Sequence, residues 1–229
     1  MDQLSKPFQV EDKRVAKLWQ KCQPSIGFDD KNLSKFKLSD FDPGDKPFSQ
    51  GGKSDDKELV VQLAEQLDTL QQVFNADRRF KLLIALQGMD TAGKDGTVRG
   101  VFGEMSPLGV RSVSWKAPTE LEKSHDYLWR IHEQVPGAGE IVIFNRSQYE
   151  DVLVPVVNQY TTPTQQQQRY RQINDFERML SENGTVILKF MLHISKDEQR
   201  MRLQERLDDP AKHWKFDMGD IEVRKQWDQ

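Results

Sequence analysis

One stretch, residues 81–100, constrains the fold of this chain more than any other. It begins with the apolar run LLIAL and passes directly into a loop with the spacing Gly88-x4-Gly93-Lys94. This spacing is typical of a P-loop, in which glycines let backbone N–H groups face phosphate oxygens and the lysine bridges the terminal phosphates. Residues 95–101 would then open a helix whose N-terminus also favours an anion. The stretch therefore predicts a strand, a phosphate-binding loop and a helix in succession.

The loop differs from the usual P-loop at two positions. Asp95 stands where a Ser or Thr normally follows the lysine, and a further carboxylate, Asp90, lies inside the loop. Because a carboxylate beside phosphate is repelled unless a cation lies between them, we interpret Asp90 as a direct or water-mediated ligand of Mg²⁺. Thr97 could supply the displaced hydroxyl. The simpler alternative is a glycine-rich turn between a strand and a helix, which the apolar run before the loop disfavours.

Length and composition limit the number of domains. A chain of 229 residues can bury one sizeable core, so we expect a single domain with appended helical segments. Residues 1–57 are polar and interrupted by prolines, with helical spacing only at 10–20, and they are interpreted as an N-terminal arm. Residues 58–229 would form the P-loop core.

Charge and cysteine content exclude several classes of protein. The net charge of −3 argues against a general nucleic-acid binder, so any polyanion must be held by a local concentration of Lys and Arg. The single cysteine, Cys22, suits a reducing compartment. No apolar run reaches the length of a membrane span, and the first residues lack a signal-peptide core. We therefore expect a cytoplasmic protein without a membrane partner.

Hydrophobic periodicity predicts an α/β fold. Apolar residues recur at helical spacing in one set of segments and alternate or run continuously in another. Such alternation of helix and strand is typical of a parallel sheet with helices on both faces, a three-layer arrangement. The predicted helices are 55–74, 95–105, 120–134 and 169–183, and the predicted strands are 82–86, 110–115, 141–144 and 185–194.

A second group of polar residues follows the short apolar run IVIF. Asn145 occupies the strand-end position at which P-loop enzymes hold Mg²⁺ or its water, and Arg146 and Glu150 follow it. A planar, permanently charged guanidinium such as that of Arg146 suits phosphate oxygens. Lys116, directly after the predicted strand 110–115, and Arg130, on the predicted helix that follows, are further candidates. The alternatives are a solvated strand end at 145–151 and an ordinary turn at Lys116.

Four segments carry a resemblance to a known family: GMDTAGKDGTVRGVF, WKAPTELEKSHDYLWRIH, FNRSQYEDVLV and ERLDDPAKHWKF. Together they resemble the polyphosphate kinase type 2 family, which moves phosphoryl groups between inorganic polyphosphate and nucleotides. The similarity runs from about residue 26 to the C-terminus. It implies a P-loop nucleotide-kinase core with a helical lid at about 200–217, although a run of charges there could also be a solvated helix face.

The resemblance also implies roles for particular residues. Catalytic roles fall on Asp90, Lys94, Asn145, Arg146 and Glu150. Mg²⁺, or Mn²⁺ in its place, would bind at Asp90 and Asn145. The implied phosphate- and nucleotide-binding residues are Gly88, Ala92, Gly93, Asp95, Gly96, Thr97, Lys116, Arg130, Arg202, Arg206, Lys212 and Lys215.

The family divides according to the phosphoryl acceptor. Asn145, where many members have Asp, together with Glu150, is similar to the group that accepts both AMP and ADP. The implied partners are inorganic polyphosphate, AMP, ADP and ATP, in a homo-oligomer that is a dimer or tetramer. Family members usually continue past the segment resembling IEVRKQWDQ into further helix, whereas this chain stops at Gln229. We expect a shortened version, in which stability and anchoring of the lid, rather than chemistry, would be affected.

Two other hypotheses use the same P-loop core. An ATP-dependent nucleotide or small-molecule kinase would require ATP and ignore polyphosphate. A nucleotide-responsive binding module would bind without phosphoryl transfer, which the combination of Asp90, Lys94 and Arg146 disfavours.

Overall fold

The computed structural model describes residues 37–46, 48–49 and 51–228. The helix expected at 10–20 and most of the expected arm lie outside these residues, so the arm stays a prediction. The chain divides into two compact units, with the boundary between Asp56 and Lys57. In the described part of the first unit, a 3-10 helix covers Leu38–Asp40.

A long helix crosses the boundary between the units, and helices and strands alternate after it. No helix in the described ranges is both long enough and apolar enough to span a membrane. In chain order the elements are α1 (Lys53–Asp77), β1 (Lys81–Gly88), α2 (Lys94–Phe102), β2 (Val110–Ser114), α3 (Glu120–Lys123), α4 (Trp129–His132), β3 (Ile141–Asn145), α5 (Glu150–Val157), α6 (Pro163–Glu182), β4 (Thr185–Leu192), α7 (Lys196–Asp208), a 3-10 helix (Pro210–Lys215) and α8 (Met218–Lys225).

The four strands form one parallel sheet in the order β2-β3-β1-β4. Leu86 pairs with Asn145, and Asn145 with Ser114, so three adjacent strands end at the same edge. The carboxyl edge of a parallel sheet is where ligands bind in open α/β folds. The register therefore brings the loop after β1 and the polar residues after β3 together, and the predicted α/β class is confirmed.

Both faces of the sheet are covered, because side chains on a strand alternate between its two faces. On β3, Val142 and Phe144 belong to a core with residues of α4 and α6. Ile141 and Ile143 belong to a second core, against which Phe74 of α1 and side chains of α2 pack. Full burial of one such side chain contributes about 1.5–3 kcal/mol. The two cores make the fold three-layered, as predicted.

The helix predicted at 120–134 is wrong as a single element. The structure has two single-turn helices, α3 and α4, separated by five residues. Side chains in that gap bind nearby backbone groups instead of leaving them to a helix: Ser124 Oγ donates to the carbonyl of Leu121, and Asp126 Oδ1 accepts from the amide of Leu128. Such local bonds compete with the helical ladder and end it early.

The helix predicted at 169–183 begins six residues too late. Helix α6 starts at Pro163, where Thr162 and Gln165 cap each other's backbone amides in a capping box. Helix α1 was predicted correctly as an element. Its most buried side chains are Ala64 and Gln71, whereas Leu70, one of the apolar residues that recur at helical spacing there, is 64% exposed. The glutamine is buried because its Nε2 donates to the carbonyl of Leu108.

Candidate active site

The loop after β1 has a backbone that only certain residues tolerate. A Cβ on Gly88 would lie 2.8 Å from the carbonyl oxygen of Leu192 on β4, so this position requires glycine. Gly93 has φ of 103° and Thr91 has φ of 65°, both in the left-handed region. The amide of Ala92 donates to the carbonyl of Met89 and closes the turn. Helix α2 begins directly after Gly93, at Lys94.

Lys94, the first residue of α2, folds back over this loop. Its Nζ donates to the carbonyl oxygens of Gly88 at 2.8 Å and Met89 at 3.1 Å, and the residue is 8% exposed. Burial, followed by the charge of Arg146, lowers the pKa of Lys94, while nearby carboxylates act in the opposite direction. The ammonium is therefore fixed beside the loop in the cavity where an anion would bind.

The side chains of Asn145, the last residue of β3, and of Arg146, which follows it, meet α2 and the loop. Asn145 Nδ2 donates to Asp95 Oδ1 at 2.6 Å. Arg146, whose φ is 68°, donates from Nη2 to Asp90 Oδ1 at 2.9 Å and lies 3.6 Å from a carboxylate oxygen of Glu150. The two loop carboxylates are thus each paired with a strand-end side chain, which leaves the amide oxygen of Asn145 and the rest of the Arg146 guanidinium for a ligand.

A cavity of about 430 Å³ lies over this edge of the sheet. It is lined by five cationic side chains and two carboxylates, although the chain as a whole carries a net charge of −3. Low-dielectric walls and a single excess sign of charge concentrate anions in such a cleft. The sequence-predicted residues that line it are Asp90, Ala92, Gly93, Lys94, Asp95, Gly96, Lys116, Asn145, Arg146, Arg206 and Lys215.

Other predicted residues lie outside the cavity lining. Arg130 is 7% exposed, and its Nη1 donates to the carbonyl of Lys116, so it supports a lining residue from behind. Arg202 donates to the carbonyl of Thr91, and Lys212 is paired with carboxylates of its own segment. Gly88, Thr97 and Glu150 also lie outside the lining. The roles given to all these residues stay predictions.

Three lining residues were missed from the sequence: Thr91, Ser114 and Trp115. The last two come at and directly after the end of β2, so the rule that strand ends line the ligand crevice could have found them. Trp115 packs edge-on against Phe144 at 5.2 Å, and the guanidinium of Arg130 lies 5.2 Å from its ring. Its indole N–H has no partner in the described part of the chain.

A second cavity of about 480 Å³ adjoins the first and shares Asp95, Ser114 and Asn145 with it. Its remaining lining comes from α2, from β2, from the turn between them and from Ile143 of β3, and it is mainly apolar. The side chains that give it this character include Val98, Phe102, Met105, Pro107, Val110 and Ile143. A ligand with a charged end and a flat apolar end could occupy both cavities at once.

The segment after β4 closes the other side of the first cavity. Arg206 Nη1 donates to the carbonyl of Lys215 at 2.9 Å and to Asp220 Oδ2 at 3.0 Å. Burial, followed by the charge of Asp90, raises the pKa of Asp220. Gln199, which is 1% exposed, donates to the backbone carbonyl of Asp90. The predicted lid segment is therefore bonded to the loop in this structure, and its movement stays a prediction.

The donor set suits a hard cation held jointly with phosphate. Asp90 and Asn145 contribute oxygen atoms to one cavity, and oxygen ligands are those that Mg²⁺ prefers. Within the described ranges, no group of three or more His, Cys, Asp or Glu side chains could hold a metal by itself. Mg²⁺ usually takes one or two carboxylates and completes its shell with substrate phosphates and water, so the residues present fit this ion.

A parallel sheet with a glycine loop and a basic cavity at its carboxyl edge defines an α/β protein of the P-loop kinase-like class. The chain belongs to the polyphosphate kinase 2 family, whose family model matches residues 50–229. The resemblance drawn from the sequence motifs is thereby confirmed.

Individual relatives agree with this assignment. The chain is 54% identical over 195 residues to an AMP/ADP-polyphosphate phosphotransferase of Meiothermus ruber, covering 85% of this chain and 73% of the relative. It is 42% identical to an ADP-polyphosphate phosphotransferase of Rhodopseudomonas palustris, covering 75% of this chain and 63% of that protein. The crystal structure of polyphosphate kinase 2 from Arthrobacter aurescens matches with a TM-score of 0.82 at 49% identity, over 85% of this chain and 70% of that chain.

Proposed function

We propose that this protein transfers phosphoryl groups between inorganic polyphosphate and the nucleotides AMP and ADP, yielding ATP in the second transfer. The observation that carries the proposal is the excess of cations in the cavity at the glycine loop of an otherwise acidic chain. The names of the two relatives, an AMP/ADP-polyphosphate and an ADP-polyphosphate phosphotransferase, support the choice of donor and acceptor. An ATP-dependent kinase with the same loop is the alternative.

The transfer would be direct and in line: among the described residues no cysteine or histidine lines the cavity, and the two carboxylates there, Asp90 and Asp95, already accept hydrogen bonds from Arg146 and Asn145. Lys94 is fixed beside the loop by two carbonyl oxygens, so its charge is in place before substrate arrives. Arg146 offers its planar guanidinium to the oxygens of the moving phosphoryl group. Both cations would neutralise charge as it shifts from donor to acceptor, which is the main catalytic contribution in phosphoryl transfer.

Mg²⁺, or Mn²⁺, would be held by Asp90 and Asn145 and would supply further positive charge at the phosphates. The acceptor's nucleoside end would enter the apolar cavity along α2, with its phosphate at Asn145 and the loop. An uncharged Asn145 leaves less negative charge near an incoming nucleotide than an aspartate would, which supports acceptance of both AMP and ADP.

The assay that tests this proposal supplies Mg²⁺, AMP or ADP, and either long-chain polyphosphate or ATP as the sole donor. We expect AMP to be converted to ADP and then to ATP with polyphosphate. This result requires one reaction centre to accept acceptors of two phosphate chain lengths. Nucleotides are separated by chromatography over time. Turnover with ATP but not polyphosphate would establish the alternative kinase. A reaction that stops at ADP, and fails when started from ADP, would leave a monophosphate-specific enzyme.

Salt should weaken the use of polyphosphate more than the use of nucleotide. Charges in an open cleft are screened by salt, whereas apolar contacts with a nucleoside are not. Between roughly 50 and 200 mM KCl we expect the KM for polyphosphate to rise on the order of tenfold. Steady-state kinetics on the native protein measure this change and, in parallel, the KM for AMP.

A matched pair of arginines on α7 provides the control for the salt series. Arg206 lines the cavity, whereas Arg200, on the same helix, lies outside its lining and is paired with Asp197 at 4.0 Å. Arg206→Gln should flatten the dependence on salt, and Arg200→Gln should leave it as in the native protein. Equal effects of the two substitutions would contradict binding of polyphosphate by the cations that line the first cavity.

A cytoplasmic location and a homo-oligomer, dimer or tetramer, complete the proposal. The single cysteine supports the first and the family resemblance the second.

A further inference from the structure

The turn that carries Arg146 is held by its surroundings rather than by its own preference. A non-glycine residue at φ of 68° is unfavourable and persists only where neighbouring contacts fix it. The Arg146 side chain is 41% exposed, and the Arg146 amide donates to the carbonyl of Leu86 on β1 at 3.0 Å. Ser147 Oγ donates to Gln87 Oε1 at 3.1 Å, which ties the turn to β1 a second time. The next two residues, Ser147 and Gln148, are polar and each only 1% exposed. The remaining anchoring of the turn therefore comes from the protein interior beneath it, at Gln148.

The carboxylate of Glu177 lies beneath the turn. Glu177 of α6 is 9% exposed and accepts three hydrogen bonds: from Gln148 Nε2 at 2.9 Å, from Tyr149 Oη at 2.7 Å and from Lys189 Nζ at 2.7 Å. Burial, followed by the charge of Glu177, strongly raises the pKa of Tyr149, so the phenol stays protonated and donates. Buried carboxylates are retained when their charge is paired and their oxygens are satisfied, as here.

The direction of these bonds distinguishes two roles. A carboxylate that only joined α6 to β4 would need Lys189 alone. Two of the three donors instead come from the second and third residues after Arg146, and Lys189 reinforces them by donating to Tyr149 Oη at 3.1 Å. Glu177 thus fixes the turn from below, while Asp90 pairs with the Arg146 side chain from the loop side.

We propose that Glu177 is a positioning residue for Arg146: through Gln148 and Tyr149 it fixes the turn that aims the guanidinium at the transferring phosphoryl group. The inference rests on the proposed phosphoryl transfer. Glu177 lies outside the lining of both cavities at the strand edge, so it would not touch a substrate bound in them. Its contribution is to the placement of the guanidinium during transfer, so it should affect kcat rather than binding.

Glu177→Gln tests this role with little change in size. The amide keeps one acceptor oxygen and turns the other into a donor, which must then face either Lys189 or the Gln148 and Tyr149 pair. We expect kcat with polyphosphate and AMP to fall about 10- to 100-fold, the range for a catalytic group displaced by about 1 Å. The KM for polyphosphate should change little, because binding is shared among the other cavity cations. Steady-state kinetics give both constants.

A double-mutant cycle with Arg146→Ala separates positioning from general destabilisation. If Glu177 acts through Arg146, then Glu177→Gln should cost almost nothing further once the guanidinium is gone, since coupled residues are not additive. Ile173→Val, a buried change on the same helix, is the control for lost stability and should keep the native kcat. Equal fractional losses from Glu177→Gln in both backgrounds would overturn the proposal.

A measurement independent of activity distinguishes this inference from the proposed function. Amide hydrogen exchange across residues 145–150 should accelerate in Glu177→Gln and stay native in Ile173→Val. Unchanged exchange in Glu177→Gln would also overturn the proposal, whatever the enzyme's substrates prove to be. Should Glu177→Gln fail to fold, Tyr149→Phe removes one of the three donors and should produce a smaller change of the same kind in kcat and exchange. If native protein lacks polyphosphate turnover, the proposed function fails on that result alone.

Discussion

Lys94→Ala is expected to lower kcat on the order of a thousandfold while the protein stays folded. The ammonium lies against the two carbonyl oxygens that begin the phosphate loop, so its charge is oriented without rearrangement when the donor binds. Removal leaves those two carbonyls facing an open cavity, where water can satisfy them. The measurement is kcat with polyphosphate and ADP, together with circular dichroism and the thermal midpoint of the variant.

Lys123→Ala serves as the matched control for Lys94. It also removes a lysine from a helix of the α/β core, but Lys123 is exposed and paired with Glu120 on the single turn of α3. Its kcat should equal that of the native protein, because exposed ion pairs contribute little. Near-native turnover of a correctly folded Lys94→Ala protein would refute the assignment of the loop as the reaction centre.

Asp90→Asn is expected to lower kcat/KM about a hundredfold and to raise the Mg²⁺ concentration for half-maximal activity at least about tenfold. The amide oxygen can still accept from Arg146 Nη2, so the geometry of the arginine is kept and only the negative charge is lost. A metal titration at fixed polyphosphate and AMP measures both effects.

Asp175→Asn is the control for this second substitution. Asp175 is an exposed carboxylate on α6, paired with Arg178 and outside the cavity, so its loss should leave the metal titration unchanged. A loss of activity in Asp90→Asn without any shift in the Mg²⁺ titration would show that Asp90 acts through Arg146 and not as a ligand.

Features that depend on a few consecutive residues could be predicted from the sequence. The strand and loop at 81–94 were predicted correctly as elements because an apolar run, the glycine spacing and a lysine all lie within one short stretch. The predicted start of helix α6 is six residues too late, although Thr162, Pro163 and Gln165 form a recognisable N-terminal signal. The polar composition of residues 163–168 favoured a connecting segment over a helix. Capping residues should therefore take precedence over average polarity.

Features that depend on tertiary contacts could not be predicted. In the sequence, Arg130 cannot be distinguished from an arginine that binds phosphate. Only the fold shows that it is buried beside Trp115 and bonded to the carbonyl of Lys116. The role of Glu177 is equally invisible, because its three donors come from residues 12 to 29 positions away in the chain. Strand order, which sets which strand ends meet, is likewise not encoded in any local pattern.

The cations of the first cavity come from well-separated stretches of the chain: Lys94 from α2, Lys116 from the segment after β2, Arg146 from the turn after β3, and Arg206 and Lys215 from the segment after β4. The cations at 206 and 215 belong to a segment separate from the loop that leads to Lys94, so their side chains can change while the sequence of the loop stays the same. Affinity for the phosphate chain and the rate of phosphoryl transfer at the loop can therefore change separately under natural selection. A protein engineer has the same freedom: charges at 206 and 215 can be varied to suit shorter or longer donors while the loop and its lysine are left as they are.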